Sequence, residues 1–170
     1  MAKEHNPKQK WWKKKMAIVR LSSFASGIRA CYKYDDGVKK IIDDMEDGFE
    51  MCLGILPSQN TIVITKLQDK LTCKFVADYA ISNGVYLYFK NLSSASQVLQ
   101  GKQSFVEAYS QSRFCLFGET SRAVSLINLL NIVQNYISSP YKRKKFLKSN
   151  INFATRPSKV RAFVFFRGWL

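Results

Sequence analysis

Few residues in this chain are of a type that does chemistry, and they are poorly placed for it. The single histidine is His5, in a polar start of the chain. A Ser-His-Asp or Cys-His mechanism needs an oriented imidazole, and the globular part has none to offer. The same lack removes a histidine-rich metal site. The four cysteines, Cys31, Cys52, Cys73 and Cys115, stand far apart and form no C-x-x-C. They read as reduced, mostly buried thiols of a cytoplasmic protein rather than a metal knot or a disulfide framework. Neither G-x-G-x-x-G nor G-x-x-x-x-G-K-[ST] occurs, so the common phosphate-cradling loops are missing. Carboxylates are paired at Asp35/Asp36 and Asp43/Asp44. Adjacent residues on a helix point about 100° apart and do not face each other, so this acidic face reads as solvated. The expectation is a non-enzyme with no catalytic residue, metal or cofactor.

What positions the remaining side chains is a chain of 170 residues, 46% of them hydrophobic, with a formal net charge of +15. That is one domain's length with enough apolar residues for a sizeable core. The charge is uneven. Residues 1–20 hold seven bases against Glu4, a net +6, and residues 139–170 hold nine bases and no acid. Between them, 11 bases meet 11 acids. The chain divides into a basic N-terminal extension and helix over 1–33, a neutral domain over 34–138, and a basic extension over 139–170. Such ends attract phosphate-bearing surfaces, anionic lipid or nucleic acid, or simply aid solubility. No apolar run approaches the ~18 residues of a membrane span. Residues 13–19 imitate the start of a signal peptide, but Arg20 cuts the apolar run short, below the ~7–15 residues an h-region needs.

Periodicity supplies the elements. Residues 1–10 look disordered. A helix is expected over 11–31 on Met16, Val19, Phe24, Ile28 and Cys31. Asp35 or Asp36 caps a second, running to about Leu53 with Val38, Ile41, Ile42, Met45, Phe49 and Cys52 on its apolar side, ended by Gly54 and Pro57. Strands are expected over 61–65, 71–79 and 85–89, with Asn83-Gly84 as a hairpin turn, which together predict an antiparallel meander. Short helices follow over 92–99 and 104–109, the latter with Ser104 and Glu107 in a capping-box pattern. A strand over 113–117 leads to a long helix over 121–137. That helix has a polar stripe of Ser121, Ser125, Asn128, Asn131 and Asn135, and is otherwise apolar enough to be buried on more than one side. Residues 159–166 alternate in part and predict an added strand.

From Val85 to Glu119 the order of short motifs becomes informative. Val85-Tyr-Leu-Tyr-Phe-Lys-Asn-Leu is followed by Leu99-Gln-Gly-Lys, Ser104-Phe-Val-Glu-Ala-Tyr and Arg113-Phe-Cys-Leu-Phe-Gly-Glu. This succession resembles the sterol carrier protein domain, with Gly101-Lys102, Ala108-Tyr109 and Gly118-Glu119 in the family's places. The family often has Gly where Ser112 stands and Asp where Glu119 stands. On that basis Ser112 is expected to avoid a backbone conformation that only Gly tolerates well. The resemblance implies an α+β fold: an antiparallel-rich sheet of about five strands, helices packed on one face, and an apolar tunnel between them. It also implies non-catalytic binding or transfer of a fatty acid, acyl-CoA or sterol-like ligand.

The residues themselves are compatible with that implication, or with a fully filled core. The expected tunnel lining is Leu87, Phe89, Phe114, Leu116, Leu126, Leu130 and Val133, with a hydroxyl of Tyr86, Tyr88 or Tyr109 anchoring a polar head. The expected partners are an apolar or lipid ligand and an anionic membrane surface, met by the basic ends with Trp11, Trp12, Phe146 and Trp169. A nucleic-acid binder using those ends is the alternative, although no recognition motif appears.

Overall fold

The structure is a computed structural model that describes residues 7–57, 60–77, 84–147 and 153–166. Helix α1 spans Pro7–Tyr34. Its buried face is Ala17, Leu21, Phe24, Ile28 and Cys31, a run spaced three and four residues apart. Met16 and Val19, expected on that face, are exposed. The expected disorder at 1–10 is corrected for residues 7–10, which are helical; residues 1–6 lie outside the described residues. Asp35 then interrupts the helix. Its carboxylate accepts the Val38 amide at 2.9 Å and caps α2, Asp36–Asp43. Its other oxygen accepts the buried Tyr136 hydroxyl.

The second helix stops a full ten residues before the expected end at Leu53. Residues 47–48 turn, with Gly48 at φ +80°, and the chain continues as strand β1, Glu50–Ile55. Phe49 and Cys52 kept the helical spacing of Val38, Ile42 and Met45, which disguised the strand. Gly54 therefore lies inside a strand rather than at a helix end. Lys66 secures the junction, donating to the carbonyls of Asp43, at 2.8 Å, and Met45. A cation at a helix C-terminus satisfies carbonyls that have no partner within the helix.

Strands β2, Asn60–Leu67, and β3, Lys70–Ala77, form an antiparallel hairpin. The expected continuation of β3 to Tyr79 lies outside the described residues, as does Asn83. Strand β4, Gly84–Phe89, does not join β3 as a meander requires. It lies on the far side of β1 and runs parallel to it. Strand β5, Phe114–Phe117, pairs antiparallel with β4. The sheet is mixed, in the order β3-β2-β1-β4-β5. Register puts Met51, Leu53, Ile62, Ile64, Val85, Leu87, Phe89, Phe114 and Leu116 on one face, and this face joins the main core.

Helices cover that face. α3, Leu92–Leu99, is capped by Asn91, and α4, Phe105–Ser110, by Ser104, whose hydroxyl accepts the Glu107 amide at 3.0 Å. Ser112 at the end of this turn has φ +51°. It occupies the left-handed region it was expected to avoid, because the chain must reverse here whatever side chain it carries. α5, Thr120–Ile137, buries a wide face that includes Leu126, Leu129, Leu130, Val133 and Tyr136. Asn135 of its expected polar stripe is buried too, donating to the Asn131 carbonyl at 2.8 Å. Gln134 donates to the Val98 and Gln103 carbonyls, pinning the α3–α4 turn onto α5. A short helix α6, Pro140–Lys142, runs into a π-helical turn, Arg143–Leu147. The expected strand at 159–166 is instead helix α7, Pro157–Phe166. Pro157 opens it, and Val160 and Val164, four apart, are buried among the core residues it shares with α1 and α5.

Candidate functional site

The fold brings all seven expected lining residues into the core between helices and sheet. Leu87, Phe89, Phe114, Leu126, Leu130 and Val133 are buried, and Leu116 packs against them half-buried. They do not share one open space. Phe89 and Phe114 meet edge to face at 5.8 Å, Phe89 lies 6.1 Å from Phe105, and Tyr109 stacks on Phe114 at 6.0 Å. The Phe89, Phe105 and Phe114 rings fill the β4–β5 end of the interior. Leu126 and Leu130 border a void of about 10 Å³ with Ile28, Met51, Cys52, Leu53 and Ile64. That is barely the room of one water. This seam between α1, α5 and the centre of the sheet is closed and apolar.

The tyrosines expected to anchor a head group do not face it. Strand alternation turns Tyr86 and Tyr88 to the opposite sheet face, where Tyr86 is buried with Cys52 and Val63. Tyr109 is about half exposed on α4. The cysteines are all free. Burial pushes the Cys52 thiol up to about 12 and the Cys73 thiol up to about 11, and it raises Cys31 as well. A thiol held protonated at neutral pH is a poor nucleophile. Among the described residues no group of His, Cys, Asp or Glu could hold a metal ion.

A larger hollow, of about 420 Å³, opens between α1, α2, the β2–β3 turn and α7. Arg29, Lys33, Lys39 and Asp69 line it with Tyr32, Leu71 and Phe163. The Tyr32 hydroxyl donates to Asp43 at 2.9 Å. Burial first, then that hydrogen bond and the nearby Asp43 and Asp69 charges, push its pKa up to about 12. Phe163 meets Tyr34 edge to face at 6.1 Å, and the Lys33 ammonium lies 5.4 Å above the Tyr34 ring. Sequence reasoning missed this place because its lining comes from four distant segments, all within or beyond a stretch whose charges sum to zero.

The basic cluster near the C-terminus is partly committed to the fold. Lys142 donates to the Gln100 carbonyl at 2.9 Å, and the Arg143 guanidinium lies 4.7 Å over Phe153. Lys145 sits over both Tyr141 and Phe146, and Tyr141 is 65% exposed. Trp12 is exposed on α1. Lys148 and Trp169 lie outside the described residues, and the side chain of Trp11 does too. No helix of the described residues is long and apolar enough to cross a membrane.

No protein-family model matches the sequence, and no curated protein matches it. Solved structures of similar fold exist. One is UbiJ-SCP2, a ubiquinone synthesis protein, at 8% identity and TM-score 0.43, covering 64% of this chain and 94% of that one. Another is a conserved hypothetical protein of Thermus thermophilus, described as a possible sterol carrier protein. It is 16% identical with TM-score 0.41, covering 68% of this chain and 89% of that one.

Proposed function

We propose that this chain is a non-catalytic protein that binds an apolar, lipid-like molecule of the fatty acid, acyl-CoA or sterol kind between its helical layer and its sheet. The observation that carries the reading is the seam. There α1 and α5 meet the centre of the sheet through apolar side chains, and the packing fault lies where Leu126 and Leu130 cross Met51, Leu53 and Ile64. The seam holds only about 10 Å³, so uptake requires the helices to lift. Each Å² of ligand and wall removed from water then returns about 25 cal/mol. The likeness of residues 85–119 to the sterol carrier protein sequence pattern supports the same reading.

The test is uptake of a fluorescent fatty acid by the purified protein, compared with Leu87→Asp and Leu130→Asp. A buried, unpaired carboxylate costs several kcal/mol, so each variant should unfold or lose uptake. Two folded variants that bind normally would refute a site in the seam. Exchange of such a ligand with a bilayer is favoured by one exposed feature, the Lys144, Lys145 and Tyr141 patch beside Phe146. A basic side chain at an anionic surface contributes about 1 kcal/mol. Phosphatidylserine vesicles should therefore sediment the protein at low salt and release it as salt rises, whereas neutral vesicles should not sediment it.

A further inference from the structure

We propose that the hollow between α1, α2, the β2–β3 turn and α7 is a binding site for a single-chain amphiphile with an anionic head, such as a phosphate monoester. This goes beyond the seam and does not depend on it. The hollow's volume of about 420 Å³ falls within the range of small-molecule sites, roughly 300–1,000 Å³. Its chemistry is divided. Arg29, Lys33 and Lys39 supply three cations against the Asp69 carboxylate in the lining and Asp43 beside it on the Tyr32 hydroxyl. The ion pairs of the described residues join Arg122 to Glu46 and Glu119, so none of the three cations is spent on a carboxylate partner there.

The rest of the lining is apolar. Leu71 and Phe163 are half-buried, and the Tyr32 hydroxyl is engaged by Asp43, which leaves its ring to the hollow. Tyr32 stays protonated well above neutral pH and adds no negative charge. An anion recognised by this set would take charge-assisted hydrogen bonds from guanidinium and ammonium groups, while its chain covers Tyr32, Leu71 and Phe163. A bare anion would leave that floor wet, and a neutral chain would leave the cations unmet. Asp69 acts against the head and tunes the affinity downward.

Titration calorimetry with octyl phosphate, octanol and inorganic phosphate decides the matter on the full chain. Octyl phosphate should bind, and each of the other two should be weaker by about tenfold or more. Replacing the three exposed cations together, Arg29→Gln, Lys33→Gln and Lys39→Gln, should weaken octyl phosphate by about tenfold, since rim charges each contribute modestly. Asp69→Asn should tighten it, and Lys74→Gln, outside the hollow, should leave it unchanged. The opposite signs of the first two keep the test decisive even if the triple variant loses stability. An unchanged constant in both, free phosphate binding as tightly as octyl phosphate, or octanol displacing octyl phosphate at equal concentration overturns the site. Octanol uptake reports the seam separately, so loss of one site is distinguishable from loss of the other. Vesicles carrying lysophosphatidic acid, a single-chain phosphate monoester, identify the source: displacement of octyl phosphate places the head group in a bilayer, and no displacement places it in solution.

Discussion

Ile28 and Arg29 are neighbours on α1, yet they border opposite kinds of space. Ile28 borders a narrow apolar seam of about 10 Å³, and Arg29 borders a wider hollow of about 420 Å³ with four charged side chains. One helix turns its two sides to the two regions, so it separates apolar contact from charge. The seam is a matter of packing, and a change there is felt as stability. The hollow is built from exposed charged and half-buried apolar side chains on elements already fixed, and a change there is felt as affinity.

The hardest way to break this contrast is to enlarge the seam. Leu126→Ala and Leu130→Ala should each cost about 2–5 kcal/mol, read from denaturant midpoints at constant m. If the double variant still folds, its uptake of a fluorescent fatty acid should rise, because the ligand then fills space the protein has lost. Next comes a position outside both regions. Gly101 has φ +68°, and a Cβ there would lie 2.7 Å from the Ser138 hydroxyl. Gly101→Val should lower stability by about 1–3 kcal/mol while leaving ligand selectivity alone; an unchanged melting temperature would contradict the assigned backbone role. Ser112, at φ +51°, offers the opposite sign. Ser112→Gly should stabilise by about 0.5–1 kcal/mol in the same melt.

The smallest effect is alkaline. Cys52 is buried on the sheet face opposite the seam and Cys73 feels Arg29 of the hollow, and burial raises both thiols above their ordinary value near 9, to about 12 and about 11. A raised folded-state pKa gives stability that is complete below the unfolded value and lost as pH climbs toward the folded one. Unfolding free energy should therefore decline from pH 9 upward, and Cys52→Ala should make that decline shallower. Parallel slopes for variant and parent would show that Cys52 does not sense the interior.

Local signals made some elements readable. Ser104 and Asp35 are caps whose chemistry acts within three residues, and α4 and the start of α2 followed from them. The length of α5 followed from its period and from Pro140. What failed depended on partners far away. The spacing of Val38, Ile42, Met45, Phe49 and Cys52 suits one long helix, and only the turn at Gly48 divides it. Val160, Ala162 and Val164 alternate, yet the pair four apart is the one that packs against α1 and α5. Nothing local says that β4 will choose β1 over β3. The seven interior residues were legible because burial is written in residue type, whereas the filling of the space among them is set by ring geometry. The hollow was illegible for the converse reason: its cations look like ordinary solvated surface until α1, α2, the hairpin turn and α7 converge.

The packing of α7 against α1 has a consequence for synthesis on the ribosome. α1 ends at Tyr34 and α7 begins at Pro157. At roughly 5–20 residues per second, the first helix waits on the order of ten seconds for the last. During that interval part of the apolar side of α1 has no cover from α7. The nascent chain is then most open to chaperones and to misassociation with its copies, and a slower stretch of translation before Pro157 would lengthen that exposure without altering a single native contact.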